Sequence, residues 1–168
     1  WCTNPTKALK KYGHISEWNT SKVTTMNELF LAKKNFKDNI SKWDVKNVID
    51  MHFMFCGASS FVGDVSLWNV SKVKDMSGMF CDSLFNGDIS RWNVSNVKCM
   101  NGMFAENKAF NVDISDWNVS KVSNMKMMFY MTTFNGDISR WNVSNVRDMS
   151  SMFLRASLFQ GDLSRWNV

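Results

Sequence analysis

The sequence predicts an α/β solenoid: a right-handed coil of ~25-residue units, with short parallel strands on one face and short helical turns on the other. Three observations predict it. Tryptophans recur at 18, 43, 68, 92, 117, 141 and 166, every 24 or 25 residues. The columns between them are nearly invariant. Inside each unit the apolar period changes from the alternation of a strand to the i, i+3, i+4 stripe of a helix.

Positions are counted from each Trp. Position +5 is always Val (Val23, Val48, Val73, Val97, Val122, Val146), +8 always Met, +12 always Phe and −2 always Ser, while −3 is Ile, Val or Leu. A second Phe closes each unit (Phe36, Phe61, Phe85, Phe110, Phe134, Phe159), and the one-residue length variation falls just before it. Taking Trp92 as the example, Trp92 and Val94 alternate with Asn93 and Ser95, which predicts a short strand. Met100, Met103 and Phe104 predict a helical turn. One unit has too few apolar side chains to offset the entropy of ordering its backbone, so the units must stack and share their faces.

Residues 1–13 are predicted to be an N-terminal capping helix. Asn4-Pro5 reads as an N-cap followed by Pro at the first helical position, and Gly13 ends the PTKALKKY run of 5–12. Residues 14–168 are six tandem repeats of 24–25 residues and the start of a seventh. No comparable cap is written at the C-terminal side, so the last rung is expected to be open. The lack of an initiator Met reads as processing or trimming.

The units from Trp18 onward, for example WNVSKVKDMSGMF at 68–80, resemble a repeat family first met in mycoplasma surface lipoproteins and often grouped with BspA-like leucine-rich repeats. The opening KALKKYGHISEWNTSKVTTMNELF at 7–30 is similar to the usual start of such arrays. The resemblance covers essentially the whole chain. It implies a leucine-rich-repeat-like fold, surface display and adhesion, with no catalytic residues to carry over.

Composition excludes several classes. The 168 residues carry a formal net charge of +5, with Lys and Arg spread along the chain, so no dense basic stripe marks a specific nucleic-acid binder. No apolar run approaches the ~20 residues of a transmembrane segment. Ser and Asp recur in every unit whereas His14 and His52 occupy different columns, which points away from catalysis and towards no enzyme.

Several columns are candidate sites. Asn at +1 and Ser at +3 (Asn69, Asn93, Asn118, Asn142; Ser71, Ser95, Ser120, Ser144) predict a stacked polar ladder on an exposed sheet face, and Arg91, Arg140 and Arg165 at −1 give it a basic edge. Position +4 alternates Lys22, Asn47, Lys72, Asn96, Lys121, Asn145. The W-N-V-S phrase is also a glycosylation sequon, but sugars on adjacent rungs would collide. Asn39, outside the strand, is the glycosylation candidate. The acidic column at −4 reads as turn caps rather than calcium ligands, so no metal and no cofactor are expected. Cys56 and Cys81 share column +13 in adjacent rungs and are a disulfide candidate.

The functional expectation is a non-catalytic surface or secreted module, extracellular or at the cell surface, recognising a protein, glycan or acidic polymer. Alternatives are a structural subunit that self-associates or joins a larger assembly through its C-terminal rung, and ice or mineral binding by the Asn/Ser face.

Overall fold

The computed structural model describes all residues, Trp1–Val168. α1 spans Pro5–Tyr12, and the Asn4 side chain caps it by accepting from the Lys7 N–H at 2.9 Å. Gly13, at φ 72°, donates its N–H to the Leu9 carbonyl and stops the helix. A 3-10 turn follows at Ile15–Glu17. Trp1 and Tyr12 pack edge-on against Trp18, with ring centroids 6.2 and 6.4 Å away.

The expected α/β solenoid with parallel strands does not form. Beyond α1 and the 3-10 turn there is no further helix, and no strand or sheet. Parallel pairing shrinks to isolated single-residue bridges running through column +7: Thr25, Asp50, Asp75, Cys99, Asn124, Asp148. Neither the strand at Trp-Asn-Val nor the helical turn at +8 to +12 exists, and the leucine-rich-repeat comparison fails with them.

The reason is local chemistry. In each Asn-Val-Ser phrase the Asn side-chain oxygen accepts the N–H of the Ser two residues on, as Asn93 does from Ser95 at 3.2 Å, and this Asx turn bends the chain. The next turn closes when Val97 donates to the Val94 carbonyl at 2.9 Å. From +8 onward the backbone is a ribbon of overlapping β-turns. Met79 donates to Met76, Cys81 to Gly78, and Ala58 in the preceding unit to Phe55. The residues at +10 and +14 lie in the left-handed region in every unit, from Glu28 at φ 55° and Ala32 at φ 55° to Ser151 at φ 57° and Arg155 at φ 60°. A continuous α-helix cannot contain such residues.

This ribbon leaves alternate N–H groups free to bond the next rung. Met76, Gly78, Phe80 and Asp82 donate to the carbonyls of Cys99, Asn101, Met103 and Ala105 at 2.8–3.0 Å. At +6 the direction reverses. Ile49 donates to Thr24, Lys74 to Ile49, Lys98 to Lys74, Ser123 to Lys98 and Arg147 to Ser123, each at 2.8 Å. Only 5 of the 69 backbone hydrogen bonds lie within regular elements, so turns and seams between units carry the fold.

The core is one cluster of 41 buried residues. The Phe columns stack along the axis, with Phe55, Phe80 and Phe104 centroids 5.7 and 6.1 Å apart, and each pairs with the second Phe of its unit, as Phe80 does with Phe85 at 4.0 Å. Trp is used because its indole N–H stitches neighbours: Trp92 donates to the Val65 carbonyl at 3.0 Å and Trp117 to the Ile89 carbonyl at 3.1 Å. Gly87 faces the Phe85 ring so closely that an added Cβ would lie 2.8 Å from it.

Candidate anion-binding groove

The alternation at +4 is a zipper between units. Asn47, Asn96 and Asn145 each donate from Nδ2 to the carbonyl at +3 of the preceding unit, Ser21, Ser71 and Ser120, at 2.7–2.9 Å. The Lys one rung later closes on the freed amide oxygen. Lys72 Nζ donates to Asn47 Oδ1 and Lys121 Nζ to Asn96 Oδ1, both at 2.8 Å. Neutral Asn thus separates lysines that would otherwise repel in adjacent rungs.

Position +6 is exposed on the same side. Lys74 and Lys98 stand there in successive rungs, and with Ile49, Lys72, Asn96 and Lys121 they line a groove of about 370 Å³. The chain's ion pairs involve only His14, Lys46 and His52 on the basic side, so none of these four amines has a carboxylate within 4.0 Å. The groove is a row of solvated, uncompensated positive charge.

The other candidate residues are placed differently. With no sheet there is no sheet face for the Asn and Ser columns to lie on. Asn69, Asn93, Asn118 and Asn142 do not ladder across rungs. Each accepts from its own Ser71, Ser95, Ser120 or Ser144, whose hydroxyls sit at 2.7 Å. In the one unit without this pair, Asp44 and Lys46 replace it with an ion pair at 2.9 Å.

Arg140 and Arg165 meet Asp137, Asp162, Asn135 and Gln160 in a second polar groove of about 490 Å³. Asp137 lies below its ordinary pKa because of hydrogen bonds from the Ser139 backbone and hydroxyl, with both guanidiniums adding to the effect. Arg91 similarly adds to the lowering of Asp88, which is led by the hydrogen bonds from Ser90. Arg140 and Arg165 thus share their groove with aspartates, although no arginine has a carboxylate within 4.0 Å, whereas no carboxylate lines the lysine groove. Sequence reasoning noticed +4 but missed Lys74 and Lys98. The available signal was two lysines in the same column of neighbouring units, two residues beyond Lys72 and Asn96.

Cys56 and Cys81 are joined as a disulfide with Cα atoms 4.6 Å apart, while Cys2 and Cys99 are free. Asn39 is exposed, and its side chain accepts from the Ser41 N–H at 2.9 Å. His52 sits 2.8 Å from Asp50. Burial pulls its pKa down, but the hydrogen bond and charge of Asp50, with Asp75 and Glu28, outweigh this and raise it. No cluster of His, Cys, Asp and Glu could hold a metal ion, and no helix is long and apolar enough to cross a membrane.

The repeat columns match the profile of a family described as "Mycoplasma protein of unknown function, DUF285", over residues 4–98 and 82–168. The chain belongs to this family. The match supports the mycoplasma-type repeat resemblance but not its grouping with BspA-like or leucine-rich repeats, which no longer describes the DUF285 turn ribbon found here. No curated protein and no solved structure matches this DUF285 chain.

Proposed function

We propose that this chain is a non-catalytic recognition module that holds an acidic partner along its lysine side. The observation that carries the reading is the groove of Lys72, Lys74, Lys98 and Lys121, exposed and free of carboxylates. An extracellular or cell-surface setting is supported by the Cys56–Cys81 bridge, because disulfides persist in oxidising compartments. The test is binding to immobilised dextran sulfate, heparin and polyglutamate. The wild-type chain should bind at least one of them at low ionic strength, and K74E/K98E should abolish it. Absence of binding to all three, or binding unchanged by K74E/K98E, would sink the reading.

A second reading, assembly through the rung at 149–168, is supported by a different observation. The backbone N–H groups of Met149, Ser151, Phe153 and Arg155 have no acceptor, beside an apolar recess lined by Met149, Met152, Phe153, Leu154, Leu163 and Trp166. Another rung of the same kind, in the same chain or another, would satisfy both features. Sedimentation over a concentration series checks whether separate chains supply it: growth in mass supports assembly, and a constant monomer mass counts against it.

A further inference from the structure

The spacing of the lysines restricts the partner further. Cys56 and Cys81, equivalent positions in adjacent units, have Cα atoms 4.6 Å apart, which measures one rung. Lys72 and Lys121 lie two rungs apart in one row, hence about 9–10 Å at the usual strand-like spacing. Lys74 and Lys98 occupy successive rungs in a second row, and Arg147 extends that row two rungs further. The cations therefore run along the stacking axis rather than converging on one point. A single small anion would meet two of them at most. A linear chain bearing anionic groups at intervals of one or two rungs meets all.

The type of side chain narrows the class. Every cation lining the groove is a lysine, a point charge with three rotatable donors. The planar fork of Arg is the usual bidentate partner of carboxylate and phosphate, and the arginines of this molecule stand mainly elsewhere, beside aspartates. Tetrahedral oxyanions accept from ammoniums in many directions and need no fork. The only apolar side chain in the groove is Ile49, so there is no aromatic platform for unpaired bases. The Cys56–Cys81 disulfide, in the units that contribute Ile49, Lys72 and Lys74 to the groove, favours an extracellular polymer.

Resting on the recognition reading above, we infer that the groove takes a sulfated polysaccharide, extended along the stack with its sulfate esters over Lys72, Lys74, Lys98 and Lys121. The repeat distance of two rungs is on the scale of a disaccharide, so one chain face supplies sulfates to the +4 row while its flanking esters reach the +6 row. Contact is electrostatic and reversible, and no bond is made or broken.

The experiment compares heparin oligosaccharides of increasing length with inorganic polyphosphate, single-stranded DNA and polyglutamate, matched for charge and ionic strength. Heparin affinity should rise with length until the chain spans Lys72 to Lys121, then level off, and exceed that of the other three polymers at least tenfold. K74S/K98S should weaken heparin binding tenfold or more and lower the slope of log affinity against log salt by about one per lysine removed. R140S/R165S should leave it unchanged. A measurement on the unaltered chain guards against misfolded variants: heparin should protect Lys72, Lys74, Lys98 and Lys121 from amine acylation while Lys33 and Lys34 stay reactive. Equal or tighter binding of DNA, polyphosphate or polyglutamate would overturn the sulfated-polysaccharide assignment and leave the recognition reading standing. No binding by any polymer would remove both, and protection of Lys33 and Lys34 instead would remove the groove.

Discussion

Asn107 is the residue on which most local order converges. It is fully buried, donates from Nδ2 to the Phe85 carbonyl at 3.0 Å and to Ser83 Oγ at 3.2 Å, and accepts from the N–H groups of Ala109 and Phe110 at 2.9 and 3.0 Å. Truncation leaves several of these groups buried without partners. Asn107→Ala should therefore cost about 2–4 kcal/mol and lower the melting temperature by roughly 5–15 °C, read by circular dichroism. At this scale the sequence was only partly legible. The Asn-Val-Ser phrase was visible as a regular polar pattern, but whether Asn bonds its own Ser or the Asn of the next unit depends on backbone curvature, which the letters do not carry. The joint appearance of Asp44 and Lys46 in one unit was the hint, since a swap of both members implies contact within the phrase.

Among elements, the turn ribbon explains why a helical stripe was expected and not found. Met100, Met103 and Phe104 are all fully buried, because overlapping β-turns also send +8, +11 and +12 to one side. Spacing alone cannot separate the two. Glycine usage could have: Gly78 at φ 57° and Gly102 at φ 59° share column +10, where a helix would gain nothing from glycine. Gly102→Ala meets nothing closer than Ala105 Cβ at 3.8 Å, so its cost should be the left-handed strain alone, about 1–2 kcal/mol. Gly78→Ala should cost more, since its Cβ would fall 2.2 Å from Cε1 of Phe53, and Phe53→Ala in the same chain should erase the excess, as a double-mutant cycle of melting curves would read. The Asx turns titrate as well. Asp64 and Asp88 are held below their ordinary 3.8 by the hydroxyl and then the backbone N–H of Ser66 and Ser90, whereas for Asp113, Asp148 and Asp162 the backbone bond leads. A depressed folded pKa contributes stability that is present above 3.8 and lost as pH falls through the folded values. The melting temperature should thus drop once pH passes below about 4. His52, whose folded pKa is raised above 6.5, instead adds stability that is present below 6.5 and lost as pH rises through its folded value.

For the whole molecule, the repeat and its stacked core were legible from the Trp, Val, Met and Phe columns, because burial imposes the same residue type at every rung. The groove was not. Column +6 reads Thr24, Ile49, Lys74, Lys98, Ser123, Arg147, so it has no constant letter, and its charge becomes apparent only once +4 and +6 share a surface. The acidic company of the arginine edge was hidden for a related reason, since Asp137 and Asp162 come from the −4 column and share one groove with Arg140 and Arg165 only once the units stack. The Cys56–Cys81 bridge closes a separation of 25 residues. Losing it should destabilise the fold by roughly 3 kcal/mol, so reductant should lower the melting temperature of the wild-type chain and leave C56S/C81S unaffected.

The Lys/Asn zipper also bears on how such an array can be lengthened or shortened by genetic duplication. Its grammar is a pair of units, not one. Excising residues 93–141 joins Trp92 to Asn142 and brings Lys72 under Asn145, so the alternation survives. Excising residues 93–117 removes Asn96 and sets Lys121 directly on Lys72, two ammoniums in neighbouring rungs with no carboxamide between them. In the chain lacking residues 93–117, Lys121→Asn should therefore raise the melting temperature by setting a carboxamide over Lys72 again, while in the intact chain the same substitution removes the Lys121–Asn96 hydrogen bond and should not.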